Sequence, residues 1–199
     1  LVTDKGAVHA EHIVNAAGLW AREVGAMAGV YFPLLPMEHQ YIVTEDVPQI
    51  AAIIDVGGEH PHVMDPAGES YLRQEGRGLC IGFYEQTCRP WAVNGTPWDF
   101  GHELLANDFD KIEDSIAFAY KRFPALESAG VKSVIHGPFT FAPDGNPLVG
   151  PVPGMRNYWS ACAVMAGFSQ GGGVGLTLAQ WMVEGEPERD VFAMDCARF

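Results

Sequence analysis

Positive charge is scarce in this sequence. Its 199 residues carry 12 lysine and arginine residues against 25 aspartate and glutamate residues, a formal net charge of −13 at pH 7. A surface of this sign repels phosphate backbones and anionic lipid headgroups. We therefore expect neither nucleic acid nor an acidic membrane among the partners.

Long apolar runs are also missing, because no stretch reaches the roughly 18 residues of a membrane-spanning helix. The hydrophobic fraction is nevertheless 48%, enough for the core of one or two compact domains. The sequence starts at Leu1 rather than at a methionine, and its first residues predict a pair of strands of which the first has already begun. We therefore expect a piece of a longer chain.

The four cysteines form no CxxC pair, which argues against a zinc knuckle. Cys162 lies in an apolar run and is expected to be a buried free thiol. A reducing compartment suits such thiols, so we expect a cytoplasmic location. The histidines lack the spacing of a metal site, and no metal is expected.

Strand-like and helix-like patterns alternate along the chain. Residues 12–17 predict a strand buried on both faces, followed after Gly18 by a helix. Residues 39–44, 70–74 and 79–83 predict three strands, the last two joined as a hairpin. These patterns predict an α+β, or mixed α/β, fold with a largely antiparallel sheet and flanking helices.

Two further helices are expected in the second half. Asp108 is expected to cap a helix that ends before Pro124. The glycine-rich stretch 167–175 predicts a turn, and a helix should follow it. The apolar face of that helix is expected to consist of Leu176, Ala179, Met182 and Val183.

Two segments rich in small residues are candidate ligand sites. VNAAGLW (14–20) places alanine and glycine between a strand and a helix, where a ligand can approach the backbone. GFSQGGGVG (167–175) offers backbone N–H groups with a helix behind them. Tight strand–helix packing is the favoured alternative for the first segment, and a flexible turn explains the second equally well.

Polar side chains on the predicted strands form a second group of candidates. His39 and Tyr41 are two residues apart, so they share one face and suit an amine or a proton-transfer role. Ordinary half-buried sheet residues are the alternative. Arg73 suits a substrate carboxylate, or else a structural ion pair.

Taken in order, six stretches resemble the FAD-binding oxidoreductases of the D-amino-acid oxidase-like superfamily, above all dimethylglycine and sarcosine dehydrogenases. They are VNAAGLWAREVGAMAG, PLLPMEHQYIVTE, YLRQEGRGLCIGFYE, HGPFTFAPDGNPLVGPVPGMRNYW, AGFSQGGGVG and WMVEGEPERDVFAMDCARF. Together they span nearly the whole chain.

The resemblance implies FAD as cofactor and an N-methyl amine as substrate. Tyr41 and His39 would act on the substrate side as catalytic residues. The residues that would contact the flavin are Ala17, Gly18, Trp20, Gly137, Pro138, Val164, Met165, Ala166, Gly167, Phe168, Ser169, Gln170, Gly171, Gly172 and Gly173.

The resemblance also implies a domain plan. Residues 1–30 would be the last strand and helix of a dinucleotide-binding fold, residues 31–136 the substrate-binding domain, and residues 137–199 a strip that contacts FAD. The GxGxxG motif of such folds is absent from the 199 residues, as is the folate-binding half that often follows. We expect both as partners, and self-association through the surfaces that the missing segment leaves uncovered.

Two other functions remain open from the sequence. Without the dinucleotide motif the chain is compatible with a non-catalytic interaction module that binds no FAD. A related amino-acid oxidase would differ only in its electron acceptor.

Overall fold

The computed structural model describes residues 1–85 and 87–199. These residues form ten β-strands and four α-helices, and the predicted α+β class is confirmed. The strands are β1 (Val2–Thr3), β2 (Gly6–Ala7), β3 (Ile13–Asn15), β4 (Leu35–Thr44), β5 (Val63–Asp65), β6 (Ser70–Glu75), β7 (Gly78–Phe83), β8 (Val131–Phe141), β9 (Leu148–Pro151) and β10 (Tyr158–Cys162). The helices are α1 (Ala21–Met27), α2 (Pro48–Asp55), α3 (Glu113–Arg122) and α4 (Gly167–Glu184).

The chain divides into two compact units. Unit 1 comprises Leu1–Met37, Pro90–Asp99 and Phe139–Phe199, and unit 2 comprises Glu38–Arg89 and Phe100–Pro138. The domain boundaries expected after residues 30 and 136 stay a prediction.

Unit 2 is built on a five-stranded sheet in the order β5-β6-β7-β4-β8. The pairs β5–β6, β6–β7 and β7–β4 are antiparallel, and the predicted hairpin of β6 and β7 is confirmed. One face of the sheet packs against helices α2 and α3. Its core contains Ile42, Leu72, Ile81 and Phe83 from the strands and Ala119 from α3. The opposite face carries polar and aromatic side chains.

Unit 1 is built on the three-stranded sheet β3-β10-β9. β10 runs parallel to β3 and antiparallel to β9. Because side chains alternate along a strand, the two faces of β10 have different partners. Tyr158 packs in one core with Ala21 of α1, and Trp159 packs in another with Val174 and Leu178 of α4. The helices α1 and α4 therefore cover opposite faces.

The strand β3 is not buried on both faces as predicted. Asn15 is 2% exposed, but Ile13 is 39% and Val14 is 40% exposed. The reason is that β3 lies at the edge of its sheet in the part of the chain that the structure describes. The exposed apolar edge agrees with the surface that was expected to be left uncovered.

The predicted glycine-rich turn at 167–175 is wrong, because α4 already begins at Gly167. Val174 and Leu178 are buried against Val149 and Trp159, and this packing holds the glycines in helical conformation. The predicted apolar face of α4 is also shifted. Leu176 and Val183 are exposed, whereas Val174 and Leu178 are buried, with Trp181 and Met182 packed beside them.

Asp108 does not cap a helix. A 3-10 turn of Asp110–Ile112 precedes α3, and the residues at the two cap positions, Phe109 and Ile112, offer no side-chain acceptor. The carboxylate of Asp108 instead accepts a hydrogen bond from Arg89 at 2.9 Å. An ion pair therefore replaces the cap.

Candidate functional site

The helices α1 and α4 follow two strands, β3 and β10, that end at the same side of the unit 1 sheet. β3 and β10 are parallel, with Asn15 beside Ser160. The chain leaves β3 through Ala17 and Gly18, and it leaves β10 towards Gly167. Carboxyl ends of neighbouring parallel strands lie at one edge, and ligands of open α/β sheets bind in the crevice outside that edge. The two small-residue segments of the sequence therefore follow the same end of this parallel strand pair.

The predicted flavin strip runs from the end of β10 into the first turns of α4. Val164 is half-buried, and the remaining residues of the strip are exposed. The whole side chain of Phe168 is exposed. In order along the chain, the strip consists of Val164, Met165, Ala166, Gly167, Phe168, Ser169, Gln170, Gly171 and Gly172.

The glycines of α4 face open space. Apart from the helix backbone around it, a methyl group on any of them would meet no atom of the described chain within 4 Å; they are Gly167, Gly171, Gly172, Gly173 and Gly175. Glycine inside a helix costs about 0.5–1 kcal/mol relative to alanine. Packing within the chain therefore gives no reason for glycine here, whereas close approach of another molecule to the helix backbone does. A planar cofactor such as a flavin fits this requirement.

The amino end of α4 offers backbone donors. The carbonyl of Ala166 accepts from the N–H groups of Ser169 at 3.0 Å and Gln170 at 2.9 Å. Ala166 occupies the cap position and supplies no side-chain hydrogen bond. The first N–H groups of a helix lack intrahelical acceptors and carry partial positive charge. This end of the 18-residue helix therefore suits an electron-rich group.

The turn after β3 is held by hydrogen bonds. Gly18 has a φ of +57°, in the left-handed region that favours glycine. The N–H of Ala17 donates to Oδ1 of Asn15 at 3.1 Å, and the buried Asn15 amide donates to the carbonyl of Ala21 at 2.9 Å. The indole N–H of Trp20 donates to the carbonyl of Pro97 at 2.9 Å. The turn that leads into α1 is therefore fixed from both sides.

In unit 2 the side chains of His39 and Tyr41 lie on one face of β4. They alternate with Gln40 and Ile42, which are buried. Nδ1 of His39 lies 2.7 Å from Oε2 of Glu85, whose side chain is 2% exposed. Oε1 of Glu85 accepts from the backbone N–H of Gln40 at 3.1 Å. A buried carboxylate thus fixes the imidazole ring beside the tyrosine.

Glu85 was not found from the sequence. Burial alone raises the pKa of its carboxyl, but hydrogen bonding and charge interaction with His39, together with the Gln40 N–H, lower the pKa below its usual value. Glu85 is therefore an ionised acceptor at neutral pH. The pairing depends on how β4 lies against β7, which no local pattern in the sequence reveals.

Three further residues that the sequence singled out lie in the same sheet: Gly137, Pro138 and Arg73. Gly137 and Pro138 belong to β8, the strand next to β4. They follow His136, which is buried and whose Nδ1 lies 2.5 Å from the carbonyl of Ala106. Arg73 is engaged with Glu75 at 2.5 Å, so the structural ion pair is the alternative that is confirmed.

Comparisons with known proteins identify the family of the chain. The sequence model of the family described as FAD dependent oxidoreductase matches residues 1–181. The chain belongs to this FAD-dependent oxidoreductase family. Its expected resemblance to dimethylglycine and sarcosine dehydrogenases is confirmed by the relatives.

Two curated relatives of the family are from Mus musculus. Dimethylglycine dehydrogenase, mitochondrial, is 43% identical over 202 residues, which are 99% of this chain and 23% of the relative. Sarcosine dehydrogenase, mitochondrial, is 39% identical over 198 residues, which are 99% of this chain and 21% of the relative. The chain therefore spans about a quarter of the length of these relatives.

Among solved structures, the L-proline dehydrogenase from P. horikoshii superposes with a TM-score of 0.78. The match is 25% identical in sequence and covers 100% of this chain and 49% of that chain. The chain therefore has the fold of FAD-dependent oxidoreductases.

The cellular location stays a prediction. No helix in the described ranges is long and apolar enough to cross a membrane. All four cysteines are free, and the buried free thiol expected at Cys162 is confirmed. The two relatives above are named as mitochondrial, so the cytoplasmic expectation gains no support from them.

We expect Glu85→Gln to destabilise the chain in a pH-dependent way. Because the folded pKa of Glu85 is depressed, its ionisation stabilises the fold above the unfolded value near 4.5, and this stabilisation is lost as the pH falls through the folded pKa. The Tm difference between wild type and variant should be large at pH 7 and should shrink below pH 4.5.

Thermal melts from pH 7 to pH 3 measure this difference. Glu59→Gln, the same change at an exposed position of unit 2, is the control and should leave Tm unchanged. A Glu85→Gln deficit of the same size at every pH would contradict the assigned ionisation.

Proposed function

We propose that this chain is part of a flavin-dependent oxidoreductase that oxidises the N-methyl group of a secondary or tertiary amine, such as dimethylglycine or sarcosine. The observation that carries the proposal is that β3 and β10 end at the same side of their parallel pair, where α4 begins with glycines that no other part of the described chain covers. The identity to both dehydrogenases supports the substrate class.

The residues of unit 1 that would hold the cofactor lie in the turn after β3, at the end of β10 and in the first turns of α4. When bound, FAD supplies the two-electron acceptor for the C–H oxidation. Gly171, Gly172 and Gly173, which have no side chains and meet no other part of the described chain, would hold the ring system. The N–H groups at the start of α4 would favour negative charge there. The turn at Ala17 and Gly18 would hold the phosphates.

The residues proposed to act on the substrate lie in unit 2. Tyr41 positions the amine, and its hydroxyl accepts or donates a hydrogen bond at the reacting nitrogen. His39 stands two residues away on the same face, and Glu85 fixes its ring through Nδ1. With its imidazole neutral, His39 can take up a proton from the bound amine, and the ionised Glu85 stabilises the resulting imidazolium. The amine is then oxidised as the neutral form with a free lone pair.

The proposal includes other parts of a longer protein. An N-terminal segment with the dinucleotide motif would pair with the open edge of β3, and a folate-binding half would follow the chain. The exposed fractions of Ile13 and Val14 support a missing neighbour at that edge.

Tyr41→Phe in the full-length flavoprotein is expected to slow flavin reduction about tenfold or more, because positioning or proton transfer through the hydroxyl is lost. Stopped-flow absorbance at the flavin band, with dimethylglycine or sarcosine as reductant, measures the rate. Tyr31→Phe removes the hydroxyl of an exposed tyrosine in unit 1 and should have no effect.

Unchanged reduction by Tyr41→Phe would remove this tyrosine from the mechanism. A wild-type protein that is yellow but is reduced by neither amine would contradict the proposed substrate class. A full-length protein that purifies colourless would favour the non-catalytic alternative.

The 199-residue chain by itself is expected to self-associate through β3 and the start of α4. Unpaired strand edges and exposed apolar side chains drive association in water. Light scattering should show an apparent mass that rises with protein concentration. The double variant Ile13→Thr/Val14→Thr should reduce the rise.

Val183→Thr is the matched control, since it changes an exposed valine at the far end of α4. Its scattering should equal that of the wild type. A constant monomer mass at all concentrations would show that the edge of β3 needs no covering segment.

A further inference from the structure

One row of residues crosses the open face of the unit 2 sheet. Met64 pairs with Tyr71, Tyr71 pairs with Gly82, and Gly82 pairs with Tyr41. Directly opposed residues of antiparallel strands point to the same face. The row therefore places two tyrosines on either side of a glycine, on the face opposite the buried Leu72 and Ile81.

The side chain of Tyr71 can occupy its position only because residue 82 is a glycine. A methyl group on Gly82 would lie 2.0 Å from Cζ and 2.2 Å from Oη of Tyr71. The phenol of Tyr71 thus lies directly above the backbone of β7. Neighbouring strands are about 4.8 Å apart, so the tip of this ring leans one strand spacing towards Tyr41.

Further aromatic rings surround Tyr71. The ring centroid of Tyr84 is 5.6 Å away with an interplanar angle of 53°, and that of His62 is 6.1 Å away with an angle of 69°. Tyr84 is 48% exposed, so the cluster is open to a ligand rather than sealed in a core. The core of unit 2 lies on the other face.

The electrostatics of the cluster favour a cation. Burial, with smaller contributions from Cys80, Tyr84, Tyr41 and Glu85, raises the pKa of Tyr71 to about 12. The phenol therefore stays neutral across the physiological range and keeps both its hydroxyl donor and its electron-rich ring face. The carboxylate of Glu85 lies 2.7 Å from Nδ1 of His39, which offsets its charge when the ring is protonated. Arg73, the cation on the same strand, is neutralised by Glu75.

We infer that Tyr71, held over Gly82, forms the wall that recognises the N-methylated ammonium head of the substrate through a cation–π interaction. The inference rests on the proposed function for the substrate class and adds the residues that select a methylated cation over a neutral group of equal shape. Aromatic rings bind quaternary and methylated ammonium groups in this way, and Tyr41 is the second ring of the site.

A pair of isosteric probes tests the inference by binding alone. Trimethylglycine and 3,3-dimethylbutanoate share shape and carboxylate, and they differ by one positive charge at the branched centre. Isothermal titration of the FAD-loaded full-length protein gives the two Kd values. We expect wild type to prefer trimethylglycine by about tenfold or more.

Three variants distinguish the role of the ring. Tyr71→Leu should reduce the preference to about threefold or less, because the π face is gone, whereas Tyr71→Phe should keep it. Gly82→Ala retains the tyrosine but displaces its ring, and it should behave like Tyr71→Leu. Circular dichroism checks that each variant is folded, and Gly82→Ala decides if Tyr71→Leu does not fold.

Tyr31→Leu, an exposed tyrosine of unit 1, is the control and should keep the wild-type preference. The inference is overturned if wild type binds both probes equally, or if Tyr71→Leu and Gly82→Ala leave the preference intact. The proposed function fails separately, if trimethylglycine is preferred but dimethylglycine and sarcosine do not reduce the flavin.

Discussion

The parallel pairing of β3 with β10 is the constraint on which the arrangement of unit 1 depends. Both strands of a parallel pair end at the same side of the sheet, so the chain leaves towards α1 and towards α4 from that side. The buried side-chain amide of Asn15 stabilises this geometry, because it accepts a hydrogen bond from the N–H of Ala17 and donates one to the carbonyl of Ala21. The glycines of α4 meet no other part of the described chain. In the proposed function, this stretch and the first N–H groups of α4 would hold the cofactor.

Unit 2 is built on a sheet whose two faces have different surroundings. One face is closed by α2 and α3 around Leu72, and the other keeps polar and aromatic groups in register across four strands. Two residues make this possible. Gly82 has no side chain, which leaves room for the ring of Tyr71, and the buried carboxylate of Glu85 holds His39. A rigid sheet positions such groups more accurately than a loop would.

Local patterns were sufficient for some features and insufficient for others. The hairpin at 70–83 followed from alternation and its glycine-containing turn, and the shared face of His39 and Tyr41 followed from the two-residue period. The stretch 167–175 was expected to be a turn because five of nine residues are glycine, yet tertiary packing of Val174 and Leu178 overrides that preference. Glu85 and Gly82 acquire their roles only from strand register, which is a long-range property.

The most direct test of the account compares two alanine substitutions at glycines of unit 1. Gly172→Ala places its methyl group in open space, whereas Gly150→Ala places one 2.6 Å from the Trp181 ring. In the 199-residue chain, Gly172→Ala should stabilise the helix by about 0.5–1 kcal/mol and Gly150→Ala should destabilise the fold. In the full-length protein, the ratio of flavin to protein absorbance should fall for Gly172→Ala in spite of its added stability. Full flavin content in that variant would contradict the claim that the glycine face of α4 receives the cofactor.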